Sequence, residues 1–282
     1  MMEVFENIIS LRVLLGEKRK LGMSIGLVPT MGALHEGHLK LIEASKSEND
    51  ITICSIFVNP IQFNNASDLE KYPKNLENDK IALESANCDI LFFPSTGEIY
   101  PFKPSLTIEF GYQNEILEGK LRPGHFSGVG IVVSKLFNIV QPGRAYFGQK
   151  DFQQCLVIQQ LVNELSFPVE IKIVQTIREY DGLAMSSRNR RLSVKERNIA
   201  PKIFHALQFA EIQSKLNVSI TKIASEVKEM LYKTDIKMEY LDILDYKSGQ
   251  VVENMNSGNT YIICIAAFIG EVRLIDNLIL KM

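Results

Sequence analysis

The chain has 282 residues, with 31 Lys and Arg against 33 Asp and Glu and a formal net charge of −2. That balance excludes the broad positive field by which a protein holds a nucleic-acid backbone. Hydrophobic residues at 46% and charged residues at 23% match ordinary globular composition, and the length predicts two domains. The most apolar run, Tyr261 to Gly270, spans ten residues, about half of what a membrane-spanning helix needs. Glu3, Glu6 and Arg12 interrupt the stretch where a secretory leader would be apolar, so none is expected. Residues up to Gly22 read instead as a short amphipathic helix. Cys54, Cys88, Cys155 and Cys264 form no C-x-x-C pair, which predicts neither a zinc knuckle nor a disulfide scaffold. Three of them lie in apolar runs, as buried reduced thiols would, and a reducing cytoplasm is expected.

From Ile25 onward short apolar runs alternate with longer amphipathic stretches, the pattern of strands joined by crossover helices. Strands are predicted at Ile25 to Pro29, Ile51 to Val58, Asp89 to Phe93, Ala145 to Gly148 and Val169 to Thr176. Helices are predicted at about Gly37 to Asn49, Lys74 to Ala86, Ser127 to Val140 and Asp151 to Leu165. The class is α/β, a Rossmann-like doubly wound parallel sheet, whose ligands bind beyond the carboxyl ends of the strands. The loops after Pro29, Val58 and Phe147 are therefore the places to look. After Ile177 the alternation stops. Two helices, the first opened by the capping box Ser193-Val194-Lys195-Glu196, lead into three strands, Ile236 to Asp245, Thr260 to Phe268 and Glu271 to Leu280. The expected domains are 1–177 and a smaller α+β domain, 178–282.

The loop Val28-Pro29-Thr30-Met31-Gly32-Ala33-Leu34-His35-Glu36-Gly37-His38 follows the first strand of that sheet and opens a helix. Its glycines let backbone approach a ligand, and a helix N-terminus favours an anion. His35 and His38, three apart, fall on one helical face and suit donation to phosphate oxygens. Half of a zinc site is the competing expectation, but no further Cys, His or acid of ligand spacing lies near. Gly148-Gln149-Lys150-Asp151 opens a later helix, with Lys150 suited to phosphate and Asp151 to ribose hydroxyls. Met185-Ser186-Ser187-Arg188 sits at the domain junction, where two hydroxyls and a guanidinium suit departing pyrophosphate. Gln62, in Asn59-Pro60-Ile61-Gln62-Phe63, offers a neutral amide to a hydroxyl. Arg122 suits a phosphate or a substrate carboxylate, and equally a loop anchor. His125 and His205 are not placed among the catalytic residues, and Asp242 and Asp245 read as the solvent face of a strand.

The segment His35-Glu36-Gly37-His38 matches the H-x-G-H signature of the nucleotidylyltransferase superfamily. P-T-M-G-A-L-H-E-G-H, S-I-F-V-N-P-I-Q-F, Y-P-K-N-L, E-I-Y-P, L-E-G-K-L-R-P-G-H-F-S-G-V, F-G-Q-K-D-F-Q-Q, D-G-L-A-M-S-S-R-N and R-L-I-D-N, in order from residue 29 to residue 277, together resemble the pantothenate synthetase family. The resemblance implies an ATP-dependent ligase that joins (R)-pantoate to β-alanine through a pantoyl adenylate. It implies that His38, as the assigned proton donor, acts with His35, Lys150 and Arg188. It implies nucleotide contacts along Met31, Gly32, Ala33, Leu34, His35, Glu36, Gly37 and His38, at Gly148, Gln149, Lys150 and Asp151, and at Ile177, Met185, Ser186, Ser187 and Arg188. Substrate contacts fall at Gln62, Gln154, Asn59 and Arg122. It further implies Mg2+ held mainly by phosphates with no protein metal site, a homodimer, and neither nucleic-acid nor membrane partners. A nucleotidyl transferase of the same fold would lack the second substrate that Gln62, Gln154 and the C-terminal domain serve. A non-catalytic regulator would have damaged signature loops, and a tRNA-charging enzyme would need an anticodon-binding region and a basic surface.

Overall fold

The computed structural model describes residues 2–70 and 72–282, without the side chains of residues 66 and 67. The chain divides into two compact units. One comprises the residues up to 148 together with 153–175, the other residues 149–152 and 176–282.

In chain order the first unit holds β1 (Glu3–Phe5), α1 (Ile8–Lys20), β2 (Ile25–Thr30), α2 (Glu36–Glu48), β3 (Ile51–Ile56), α3 (Ala66–Glu70), α4 (Leu76–Ser85), β4 (Ile90–Phe92), α5 (Thr96–Ile99), α6 (Leu117–Leu121), α7 (His125–Val140), β5 (Arg144–Gly148), α8 (Phe152–Glu164) and β6 (Glu170–Val174). The strands form one parallel sheet in the order β1-β4-β3-β2-β5-β6. Successive residues of a strand face opposite ways, so Leu27 and Ile53 enter one hydrophobic cluster with Leu11, Leu15 and Val133. Their neighbours Val28 and Cys54 enter another, with Leu41, Ile42 and Leu83. All six residues of β3 are buried, as a strand covered on both faces requires. Each such aliphatic side chain contributes about 1.5 to 3 kcal/mol of burial.

β2 has β3 on one side and β5 on the other, so the strand order reverses there. The β2–β5 pairing stops at Leu27↔Ala145, although β2 runs on to Thr30 and β5 to Gly148. The two carboxyl ends are therefore not paired with each other, which is the crevice a doubly wound sheet offers a ligand. The edge strand β1, paired to β4, is not predicted from the sequence. Glu-Val-Phe is too short to show an alternation, whereas α1, capped by Asn7 and stopped near Gly22, was legible.

The second unit holds α9 (Val194–Ile199), α10 (Lys202–Lys215), α11 (Ile220–Tyr232), β7 (Ile236–Asp245), β8 (Thr260–Ile269) and β9 (Val272–Lys281). The sequence predicts two helices here. Pro201, without an N–H to continue α9, divides the first into two. The capping box forms, with Ser193 Oγ accepting from Glu196 N at 3.3 Å and Glu196 Oε2 accepting from Ser193 N at 2.8 Å. The three strands make an antiparallel meander, and Ile203, Leu207, Ile223, Val227, Ile263 and Ile265 pack between it and the helices. Asp245 does more than face solvent: its carboxylate accepts from Lys247 N and Ser248 N and closes the turn after β7. All four cysteines are buried and unpaired with one another. Among the described residues no helix is long and apolar enough to cross a membrane.

Candidate active site

In the first unit the loop after β2 is shaped by backbone that only a few residues tolerate. Gly32 has φ 80° and Ala33 has φ 52°, and a Cβ on Gly32 would lie 2.9 Å from Asp79 Oδ2. Two successive left-handed residues turn neighbouring N–H groups toward one point. That point is filled from within: buried Asp79 accepts from Ala33 N at 2.9 Å and from Leu34 N at 2.7 Å. Thr30 Oγ1 accepts from Gly32 N at 3.2 Å and donates to Ser55 O. The N–H groups of Gly32, Ala33 and Leu34 are thus directed at the protein.

The candidate donors for a ligand are the two histidines that follow, His35 and His38. His35 is the N-cap of α2, and its Nδ1 accepts from Gly37 N at 3.1 Å, while His38 Nδ1 accepts from His35 N at 3.4 Å. The rings lie 4.1 Å apart, tilted by 37°. A neutral imidazole that accepts at Nδ1 carries its proton at Nε2. The capping geometry therefore makes each ring an Nε2–H donor.

A second constellation surrounds Gln62, which is buried. Asn59, 1% exposed, donates from Nδ2 to Gln62 Oε1 at 3.0 Å and to Gly128 O at 3.1 Å, and accepts from the Tyr100 hydroxyl at 2.8 Å. Burial pushes the Tyr100 phenol above its ordinary range, keeping it a donor. Asn59 is fully engaged by protein and orients Gln62, whose own Nε2 meets Met31 Sδ at 3.2 Å. A thioether is a weak acceptor that a substrate oxygen readily replaces. Gly128 lets α7 approach this turn: a Cβ there would lie 2.6 Å from Ile61 O.

Arg122, left open between ligand and anchor by the sequence, is 3.1 Å from His125 Nε2 and 3.7 Å from a carboxylate oxygen of buried Glu118. Arginine only donates, so His125 Nε2 accepts and its Nδ1–H donates to Gln62 O at 2.9 Å. Gln153 binds the 113–118 segment, accepting from Glu118 N at 2.9 Å and donating to Gln113 O at 2.9 Å. Its neighbour Gln154 is half-buried in the first turn of α8. A cavity of about 220 Å³ lies in the same unit, lined by Met31, Gly32, Phe57, Lys74, Ser95 and Thr96 among others.

Gly148 ends β5 in the first unit, and the second unit contains the remaining predicted nucleotide residues. Gln149, Lys150 and Asp151 form a 3-10 turn, with Lys150 Nζ 3.5 Å from Asp151 Oδ1. Met185 N donates to Ile177 O at 2.9 Å, so these two expected nucleotide neighbours are paired through their backbones. Ser186 caps the 3-10 turn 187–191, its Oγ accepting from Arg188 N at 3.2 Å. Ser187 is buried and Arg188 half-buried. Below this segment Arg178 makes a two-point pair with Asp276 at 2.6 and 3.0 Å and lies 3.8 Å over the Phe204 ring. Burial pushes the Asp276 carboxyl above its usual range against the pull of Arg178. Asp79 supports the site without any sequence signal of its own, and Tyr100, Gly128 and Gln153 were visible only as members of E-I-Y-P, L-E-G-K-L-R-P-G-H-F-S-G-V and F-G-Q-K-D-F-Q-Q. Asp276 and Asn277 were visible only as the end of R-L-I-D-N.

A profile of the pantoate-beta-alanine ligase family matches residues 3–279. A pantothenate synthetase of Cytophaga hutchinsonii is 48% identical over 276 residues, covering 97% of this chain and 98% of the relative. One from Porphyromonas gingivalis is 45% identical over 279 residues, covering 98% and 99%. The crystal structure of pantothenate synthetase from Thermus thermophilus superposes with a TM-score of 0.90 at 40% identity, covering 98% of this chain and 99% of that one. That of pantoate-beta-alanine ligase from Francisella tularensis, complexed with beta-gamma ATP and beta-alanine, gives 0.84 at 39% identity, covering 99% and 97%.

Proposed function

The chain belongs to the pantoate-beta-alanine ligase family, and on that premise we propose that it joins (R)-pantoate to β-alanine through a pantoyl adenylate, consuming ATP and releasing AMP and pyrophosphate. The observation that carries this reading is the pair of imidazoles that cap α2 through Nδ1, a geometry that places their protons at Nε2, the tautomer suited to phosphate oxygens on which charge grows. The beta-gamma ATP and beta-alanine in the complex of the Francisella relative support the same substrates here.

In the first step the pantoate carboxylate attacks the α-phosphorus and pyrophosphate leaves. The nucleophile is already an anion, so positioning and charge stabilisation do the work. His38 and His35 serve the α-phosphate, with His38 the proposed proton donor. Lys150, Ser186, Ser187 and Arg188 serve the outgoing pyrophosphate, and Asp151, Ile177 and Met185 the nucleoside. In the second step the neutral β-alanine amine attacks the acyl carbon and AMP departs. Gln62 and Gln154 hold the pantoyl group, while Asn59, Arg122 and His125 act on Gln62 from behind. Mg2+ is proposed to arrive on the nucleotide phosphates. The protein is proposed to work as a homodimer in the cytoplasm.

The test is AMP release from purified protein and Mg-ATP with pantoate alone, β-alanine alone, or both. Multiple turnovers only with both, together with pantothenate, are expected. ATP binding without AMP under any condition would leave the family and remove the proposed reaction.

A further inference from the structure

The motif R-L-I-D-N has no part in the chemistry above, yet its last two residues touch one nucleotide segment of the second unit directly and are linked to the other through Arg178. Asn277 on β9 is 2% exposed. Its Nδ2 donates to Gln149 O at 2.8 Å and to Lys150 O at 3.0 Å, and its Oδ1 accepts from Gln149 Nε2 at 3.0 Å. Three bonds from one planar amide fix the turn carrying Lys150 in position and direction. At the end of that turn Phe152 stacks on Tyr246, ring centroids 5.2 Å apart.

Asp276, the preceding residue, holds the other segment. Its carboxylate takes both guanidinium arms of Arg178 and also accepts from Asn277 N at 2.7 Å. Arg178 in turn donates to Gly182 O at 3.1 Å and pairs with Ala184 in an isolated bridge, immediately before Met185 to Arg188. Neighbouring residues of a strand point to opposite faces, so one dipeptide in a hydrogen-bonded sheet serves two loops. We infer that Asp276-Asn277 is a positioning pair that registers Lys150 against the Met185–Arg188 segment for the adenylation step. Neither residue touches substrate in this assignment, which rests on the ligase reading above.

The experiment compares Asn277→Asp and Asn277→Ser with the parent protein in two half-reactions. Asn277→Asp keeps the size but loses both Nδ2 donors, and Asn277→Ser keeps one short donor and no charge. Pantoate-dependent exchange of pyrophosphate into ATP reads adenylation. Aminolysis of supplied pantoyl adenylate by β-alanine reads the second step, which needs no pyrophosphate site. Displacement by about an ångström reduces a rate by about a hundredfold. Asn277→Asp is therefore expected to lose about a hundredfold in exchange with a raised KM for ATP, Asn277→Ser less, and both to keep the pantoate KM and the rate of aminolysis. Folded variants with normal exchange would overturn the assignment. So would equal losses in both half-reactions, or failure of both variants to fold, because the pair would then support the domain and not the nucleotide turn. Absence of pantoate-dependent exchange in the parent itself would instead remove the ligase reading.

Discussion

The loop after β2 and the turn at 149–151 carry comparable burdens and are held in opposite ways. The first largely builds itself: Thr30 holds Gly32, His35 holds Gly37 and His38 holds His35, all within three residues. From afar Asp79 adds two hydrogen bonds, accepting from Ala33 N and Leu34 N. The second depends on Asn277, 128 residues away. A self-held loop keeps its shape through distant substitutions, whereas the turn inherits every shift of β9.

The contrast is broken most severely by removing a ring from the self-held loop. His38→Ala is expected to lower pantoate-dependent pyrophosphate exchange by about 100- to 1000-fold, while stability falls only by about 1 kcal/mol for the lost cap, as urea unfolding would record. Asp79→Ala attacks a distant support of the loop. Two N–H groups lose a buried charged acceptor, and a loss of about 3 kcal/mol in the same unfolding measurement is expected. Gly128→Ala leaves both nucleotide segments alone and pushes a Cβ to 2.7 Å from Gln62 Cα. About a tenfold rise in the pantoate KM with little change for ATP is expected in steady-state assays.

The smallest effect concerns the sheet beneath the loop. Burial pushes the Cys88 thiol up to about 11 and Cys54 well above its ordinary value of 9.0. As pH rises from about 9 toward 11 the unfolded chain releases these protons and the folded chain retains them, so these thiols make stability fall across that window. The urea midpoint should decline between pH 8 and pH 10.5. Native protein at pH 8 should react with none of its four thiols and denatured protein with all four.

The buried parallel strands were legible because two covered faces make a continuous apolar run, as in Ile51 to Ile56. The imidazole pair was legible because its spacing is short and its place after a strand is specific. Asp79 was hidden: in Leu-Glu-Asn-Asp-Lys-Ile it reads as one more helix acid, and only the folded chain aims it at Ala33 and Leu34. Asn277 was hidden for the complementary reason, since an amide in a strand announces no partner. Residues 149–152 lie between β5 and the body of α8, and nothing local shows that they pack with the second unit. Asp79 and Asn277 each act by a long-range contact of a single polar side chain, which leaves no periodic trace.

The span from Gln149 to Asn277 also has a meaning in time. A ribosome adding about 5 to 20 residues per second takes about 6 to 26 seconds to travel it. Throughout that interval the turn that will carry Lys150 has been made but its clamp has not. The nucleotide turn is therefore completed by one of the last strands to be synthesised, and a nascent chain stalled before β9 has the imidazole loop in full and the lysine turn without its anchor.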